Sequence, residues 1–473
     1  MLNDDVLLTI FDFYQLVFTE PYGNITTSPD WDNARWWYKP AQVCQRWRHL
    51  ILASPARLDL HLVCTYGTPV ANMLAHSPPL PLTHSPPLPL IINYLDHVRQ
   101  ASIDDEDNIL LALRYRDRVR RIGFRMPAPN LPKFIKAIDG QFPILERLFI
   151  WPQTQDDDVS LTLPTSFQAP YLGMLSICYT ALPVESSLLI TTLGLISLEL
   201  SNIPLSAYFQ PSYLVEGISS MPLLEGLWIG FMAPTPTLRV ERQPLHTLTG
   251  VTLPNLRILA FRGVNAYLEE LLARINTPLL EVLNVRLSNQ LSFTVPHLFQ
   301  FIKRTESLRP DFFQIFFNRN AVLLSANSQD KVKHLSLEVG CRHIDWQVSA
   351  AAQVFHALVA ILSITEHLAL GYDEHDRSSE HHNEINRMQW RNLLRQFNGV
   401  KALHIYENLI SHLSRSLQLE NGESPLELLP ELLELVYYKG GDASDAFNPF
   451  INARQIAGRP VALIHVPPQP AAQ

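Results

Sequence analysis

Apolar residues recur along most of the chain in one phrase, in which positions i, i+3 and i+5 are filled mainly by Leu, Ile and Val. The last two of these positions lie on the same side of an extended chain, as in a strand with one buried face. Each copy therefore predicts a strand. The eleven copies begin at Val119, Phe142, Ala169, Leu195, Met221, Leu253, Thr277, Val332, Thr365, Val400 and Leu432.

Helical periodicity fills the stretches between these strands. Apolar residues follow a helical spacing in four segments: Ala266 to Ile275, Ser349 to Ser363, Asn386 to Phe397, and Leu409 to Leu419. The pattern thus predicts an α/β fold in which each unit is one strand and one return helix. An ordinary α/β domain whose strands share the phrase is the alternative, and eleven recurrences favour the repeat array.

The repeat spacing has one interruption. First apolar positions from 119 to 280 are separated by 23 to 32 residues, and the next step, from 280 to 332, is 52 residues. That step contains Phe312 to Ala326, which predicts a hairpin turning at Asn318 to Asn320. The phrases resemble leucine-rich repeats, whose units have this spacing. Ile203 and Met232 stand where such repeats usually have Asn or Cys, so we expect irregular turns.

Two apolar stripes lie near the N-terminus. Leu7, Ile10, Phe11 and Tyr14 follow helical spacing, and a second stripe consists of Val43, Trp47, Leu50, Ile51 and Ser54. A unit of some 55 residues leaves part of its apolar surface uncovered, because its surface is large relative to its volume. We therefore expect a partner protein to cover it.

The segments "LNDDVLLTIF" and "VCQRWRHL" resemble an F-box, and with further stretches the chain is similar to F-box-like proteins of mushroom-forming fungi. The resemblance implies a substrate adaptor of a cullin-RING ubiquitin ligase, in which the F-box binds a Skp-type adaptor and the repeats bind a protein substrate. It places these residues at or beneath the adaptor interface: Leu2, Leu7, Ile10, Phe11, Val43, Cys44 and Trp47.

Two departures from the F-box pattern define an alternative. Asn3 stands where the pattern has Pro, and Gln15 to Ala41 lengthens the link between the helices. The alternative function is a repeat scaffold with a degenerate F-box and no ligase role.

Four regions are predicted along the chain. Residues 1–60 form the F-box-like helical module, 61–110 a linker with a Pro-rich duplication and a first helix, 111–466 the repeat arc, and 467–473 a disordered tail. The duplication, "HSPPLPLTHSPPLPL", satisfies PxxP twice but has no flanking basic residue of the kind an SH3 ligand needs. We interpret it as a tandem duplication in a linker.

Strand residues between two core positions point away from the core. In a repeat array such residues line a binding face. The outward column contains large aromatic residues and arginines, so we expect it to bind a peptide segment of acidic character; the alternative is that flanking loops cover these side chains. The residues concerned are Phe149, Trp151, Trp228, Arg262 and Arg286.

The composition of the chain limits the classes of partner that it is expected to bind. Hydrophobic residues make up 47% of the chain and the net charge is -8, which argues against nucleic-acid binding. Neither a membrane-spanning apolar run nor a basic leader is found, and the four cysteines are far apart, as Cys44, Cys64, Cys178 and Cys341. We expect no membrane association, and a location in the cytoplasm or nucleus.

Two hypotheses in which the protein would catalyse a reaction have less support than the adaptor. Cys44 and His49 could form a nucleophile and base, but they are five residues apart on a helix and have no third orienting group. The segment His367 to Arg387 collects His375, His381 and His382 among acidic residues, and a metal-dependent hydrolase using this loop is a further alternative. A polar surface loop explains it more simply. The sequence therefore predicts a non-enzymatic protein without catalytic residues, metal or cofactor.

Overall fold

The computed structural model describes residues 2–14, 36–75, 87–96, 99–153, 161–183, 188–204, 207–232, 250–288, 295–305, 308, 312–318, 320–327, 334–341, 344–362, 365–372, 387–406, 409–419, 423–438 and 444–466. The chain divides into two compact units, Met1–Tyr208 and Phe209–Gln473. Most of the Pro-rich duplication and the whole predicted tail lie outside the described residues.

The first unit is α/β. Its helices are α1 Asp4–Tyr14, α2 Pro40–Val43, α3 Gln45–Ala53, α4 Val70–Ala75, α5 Ile103–Leu113, α6 Leu131–Ala137 and α7 Leu188–Thr191. Its strands are β1 Leu62–Cys64, β2 Leu90–Tyr94, β3 Val119–Met126, β4 Arg147–Pro152, β5 Leu161–Thr162, β6 Met174–Cys178, β7 Thr180–Ala181 and β8 Ser197–Ile203.

A parallel sheet in the order β1-β2-β3-β4-β6-β8 forms the centre of the first unit, and β5 pairs with β7 separately. The repeat phrase packs as its pattern predicts: Leu145 in the turn before β4 is buried, as are Leu148 and Ile150 within it. The sheet begins earlier than expected, because β1 and β2 lie inside 61–110. That range was predicted as linker because its short strands lack the repeat phrase.

The second unit is also α/β. Its helices are α8 Pro211–Ser219, α9 Asn265–Arg274, α10 Pro296–Arg304, α11 Ile344–Leu362, α12 Arg387–Leu394, α13 Ile410–Leu417 and α14 Ser444–Ile456. Its strands are β9 Gly226–Phe231, β10 Val251–Thr252, β11 Ile258–Gly263, β12 Ile275–Asn276, β13 Val282–Leu287, β14 Phe312–Phe317, β15 Ala321–Asn327, β16 His334–Gly340, β17 His367–Tyr372, β18 Ala402–Tyr406, β19 Glu434–Tyr438 and β20 Ala462–Val466.

The predicted hairpin is present in the second unit and explains the long repeat step. The strand order is β9-β11-β13-β16-β15-β14-β17-β18-β19-β20, and β15 is antiparallel to both of its neighbours. The other neighbouring pairs described here are parallel, which requires a crossover between them. The helices α9 to α14 supply most of these crossovers, and α8 to α14 pack successively against one another. The core lies between these helices and the inward strand residues.

Arginine side chains close several turns of the second unit. The guanidinium of the fully buried Arg454 donates to the carbonyl oxygens of Pro430 and Leu432, each at 3.0 Å. Arg391 on α12 donates in the same way to the carbonyl oxygen of Ser416 at 2.9 Å. Backbone carbonyls that are buried at turns need such partners. Arg454 and Arg391 therefore supply hydrogen-bond donors to backbone carbonyl oxygens that the strands and helices leave unpaired.

Candidate functional site

Helix α1 packs on α3 through apolar and charged contacts. Leu7 and Phe11 are buried, and the Phe11 ring meets the Trp47 indole edge-on at a centroid distance of 5.1 Å. Arg46 on α3 pairs with Asp4 at 2.5 Å, and its guanidinium also donates to the Leu2 carbonyl oxygen at 2.6 Å. These contacts determine which side of α1 faces outward.

The start of α3 depends on Cys44. Its Sγ accepts a hydrogen bond from the Trp47 backbone N–H at 3.4 Å, so the thiol serves as the N-cap. His49 follows on the exposed side of the same helix. The geometry thus gives Cys44 a capping role, and nothing in it arranges Cys44 and His49 as a nucleophile and base.

The outward side of α1 is apolar. Leu2, Val6, Ile10 and Phe13, separated by four, four and three residues, are exposed by 55%, 44%, 42% and 68% respectively. This spacing places Val6, Ile10 and Phe13 on one face of α1, and Leu2 lies two residues before the helix; we call these four residues the α1 face. Contiguous exposed apolar side chains of this kind mark protein-binding surfaces. Val43, which is 62% exposed, precedes α3.

The seven residues expected at the adaptor interface thus fall into two layers. Leu7 and Phe11 are buried and Trp47 is partly buried, whereas Leu2, Ile10, Val43 and Cys44 are exposed. Sequence reasoning missed Val6 and Phe13. Their signal was present, because α1 carries apolar residues on more than one face, but the stripe through Leu7 and Phe11 was taken as the whole pattern.

A partly buried polar cluster lies where the chain passes from these helices into the sheet. The Trp37 indole N–H donates to the His61 carbonyl oxygen at 3.1 Å, and Arg120 pairs with Asp59 and, at 2.7 Å, with Glu146. Burial lowers the pKa of His61 to about 4, although the Asp59 carboxylate partly opposes this. Burial alone would raise the pKa of Asp59, but the charges of His61 and Arg120 hold it below its usual value.

The outward face of the first unit combines aromatic and polar side chains. The register pairs Phe149 with Ser176 and Ser176 with Glu199, as the repeat alignment predicts. Phe149 and Trp151 stack at 5.3 Å between centroids, and the Trp151 indole N–H donates to the Ser176 hydroxyl at 2.9 Å. Phe149 is buried by this arrangement, and Trp151 is half-buried.

Two arginines flank these aromatic residues. Arg121 of β3 and Arg147 of β4 are directly paired in the register. Burial lowers the pKa of Arg121, and the neighbouring positive charge of Arg147 lowers it further. Sequence reasoning did not include these two arginines. It took the outward residues from β4 onward and began there with Phe149 and Trp151, whereas Arg121 lies in β3 and Arg147 lies two residues before Phe149.

Trp228, Arg262 and Arg286 lie on the outward face of the second unit. A Cβ added to Gly226 would lie 2.2 Å from a Trp228 ring atom, so the indole lies back over this glycine. Arg262 and Arg286 are paired in the register, and Arg286 forms an ion pair with Glu338 of β16 at 2.5 Å. The charge of Arg286 is therefore partly compensated within the sheet.

The structure brings together a further aromatic surface on the same face. Tyr406 and Tyr438 stack at 4.8 Å between centroids, and a His404 ring nitrogen lies 3.1 Å from the Tyr438 hydroxyl. The ring of Phe316 in the hairpin packs against the ring of Tyr406, with 5.7 Å between their centroids. Burial lowers the pKa of His404. Aligning the repeat phrases places His404 and Tyr406 on the outward face, but not Phe316, because the hairpin departs from the repeat phrase.

The proposed metal loop cannot be located, since His375, His381 and His382 lie outside the described residues. Within the described part of the chain, no three His, Cys, Asp or Glu residues are grouped so as to hold a metal ion. Among the same residues, no helix combines the length and apolarity needed to cross a bilayer.

A scan against protein-family models finds none that matches this chain, and no curated protein matches it significantly.

Proposed function

We propose that this chain is a substrate-recognition adaptor of an SCF-type cullin-RING ubiquitin ligase. In this proposal the N-terminal helices act as an F-box that binds a Skp-type adaptor. The strands and helices of both units act as irregular leucine-rich repeats that bind a protein substrate on their outward face. The protein itself carries out no chemistry, because its role is to bring a substrate to the ligase.

The α1 face carries the proposal. Three large apolar side chains are exposed on one side of α1 and a fourth, Leu2, just before it, while the opposite side is anchored by Phe11 against Trp47 and by the ion pair between Asp4 and Arg46. A rigid helix that presents an apolar face is one of the common modes of protein recognition. Since the anchoring contacts fix the face before binding, little ordering entropy is lost on association.

The outward strand residues support the substrate-binding part. Trp151 and Trp228 are only partly buried, and aromatic side chains of this size are enriched in interaction hot spots. They lie on the side of each sheet opposite the inward core residues. A protein segment crossing either face would meet aromatic, hydroxyl and charged groups in a fixed register.

Co-purification tests the ligase role. The tagged full chain is co-expressed with a Skp-type adaptor and cullin, and we expect both to be retained by the wild type. Ile10→Asp should abolish retention without unfolding the chain, because Ile10 is exposed; Trp47→Ala and Leu7→Ala should reduce it by disturbing the anchor. No retention by the wild type, or equal retention by all the variants, contradicts the proposal and favours the scaffold without a ligase role.

A further inference from the structure

Glu199 of β8 is a buried carboxylate on the outward face of the first unit, 8% exposed. One carboxylate oxygen accepts a hydrogen bond from the Ser176 hydroxyl at 2.7 Å, and the other accepts one from the Ser201 hydroxyl at 2.9 Å. Among the residues that the structure describes, no Lys, Arg or His forms an ion pair with Glu199. Its two polar contacts here are both with neutral hydroxyl groups.

These two hydrogen bonds neither neutralise the charge of the Glu199 carboxylate nor use all of its hydrogen-bond acceptor positions. Burying a charge without an opposite charge is unfavourable, and buried charges in proteins are normally paired. A carboxylate offers about four lone-pair positions, of which two hydroxyl groups use two. A positively charged group from outside would therefore gain both an ion pair and free acceptor positions at Glu199.

Trp151 is held in place beside this carboxylate. Its indole N–H donates to Ser176, and Ser176 donates to Glu199, so a chain of two hydrogen bonds connects the ring to the carboxylate. Stacking against Phe149 at an angle of 13° fixes the plane of the indole. Trp is the aromatic side chain that attracts cations most strongly.

We propose that Glu199 and Trp151 form a subsite for an arginine side chain of a protein segment bound to the first unit. A planar guanidinium can bond to a carboxylate and stack on an aromatic ring, which an ammonium group does less well. The subsite rests on the proposed substrate-binding role of the sheet. It differs from the acidic segment that Arg262 and Arg286 suggested, because the Glu199 carboxylate lies one strand beyond Ser176, on the side of the aromatic pair away from Arg121 and Arg125 of β3.

Selection from a random library of 12-residue peptides tests the subsite. The immobilised full-length wild type should select peptides enriched in arginine. A synthetic copy of the best peptide should bind Glu199→Gln at least ~10-fold more weakly, since loss of a charge-assisted contact is worth about 1.4 kcal/mol or more. The exposed Glu216 on α8 provides a matched control: Glu216→Gln should bind like the wild type.

Two further measurements make the result decisive. Trp151→Phe keeps a ring beside Phe149 but removes the bond to Ser176, so it should also weaken the peptide; it serves as a second variant if Glu199→Gln does not fold. Replacing the peptide arginine by lysine should weaken binding to the wild type. Selection of acidic peptides, no selection, or equal affinity for wild type and Glu199→Gln overturns the subsite. Adaptor binding is not involved in this assay, so the ligase proposal can fail independently.

Discussion

The Phe11 ring on α1 meets the Trp47 indole on α3 edge-on, with 5.1 Å between centroids and 74° between planes. This contact divides α1 into a buried side and an exposed side. It follows that substitutions on the two sides should have different effects, although Ile10 and Phe11 are neighbours in the sequence.

Phe11→Ala should loosen α1. The substitution removes a fully buried ring, and such changes cost about 3–5 kcal/mol in a protein core. Hydrogen exchange of the α1 amides measures the effect locally: exchange should accelerate in Phe11→Ala and stay at the wild-type rate in Ile10→Asp. Equal protection of α1 in Phe11→Ala and the wild type would show that the ring contact does not anchor the helix.

Acid should destabilise the first unit through His61. Because burial holds the pKa of His61 near 4 in the folded chain and the unfolded value is about 6.5, the unfolded chain binds the additional proton between these values. Stability should therefore be unaffected above pH 6.5 and fall as pH decreases toward 4, by ~2 kcal/mol between pH 7 and 4.5.

Denaturant unfolding at several pH values measures this contribution of His61. His61→Gln cannot titrate in this range, so the difference in unfolding free energy between wild type and variant should decrease as the pH is lowered. A difference that stays constant from pH 7 to 4.5 would mean that His61 titrates normally in the folded chain.

Arg454→Met should destabilise the second unit. Methionine can fill much of the space of the buried side chain, but the carbonyl oxygens of Pro430 and Leu432 lose their donor. Each unsatisfied buried acceptor costs about 1–3 kcal/mol, so a loss of ~2–6 kcal/mol is expected in urea unfolding. The exposed Arg459 supplies the control, because Arg459→Met should change stability by ~0.5 kcal/mol or less. Similar losses for both variants would argue against a role for Arg454 at this turn.

Gly226→Ala should displace the indole of Trp228. The added methyl would overlap the ring, and overpacking of this kind typically costs about 1–3 kcal/mol. The cost should largely disappear in a background that already carries Trp228→Ala, which a double-mutant cycle measures. Additive effects of the two substitutions would indicate that the ring does not lie over Gly226.

The strand register was largely predictable from the sequence, because the repeat phrase sets which residues face the core. The pairings of Ser176 with Glu199 and of Ala260 with Asn284 follow from aligning the phrases. The pairing of Arg286 with Glu338 follows from the same alignment. The place of the hairpin did not follow from it: β14 and β15 precede β16 in the chain but lie between β16 and β17 in the sheet.

The site was less predictable than the fold. Aromatic and apolar residues could be located on the chain, but their burial depends on contacts between distant segments. Phe149 is covered by Trp151, and the hydrogen bonds of Glu199 come from hydroxyl groups on two strands. Such relationships are set by side-chain packing, which the alternation of apolar and polar residues does not encode.

Titration of a purified Skp-type adaptor into the purified full chain tests the central claim most directly. Calorimetry should give saturable binding by the wild type, weakening of at least ~30-fold in Ile10→Asp, as expected for a hot-spot residue, and wild-type affinity in Ile103→Asp. Ile103 is the matched control, since it is 79% exposed at the start of α5 and lies outside the α1 face. Absence of binding by the wild type, or equal affinity of Ile10→Asp and Ile103→Asp, would contradict the account.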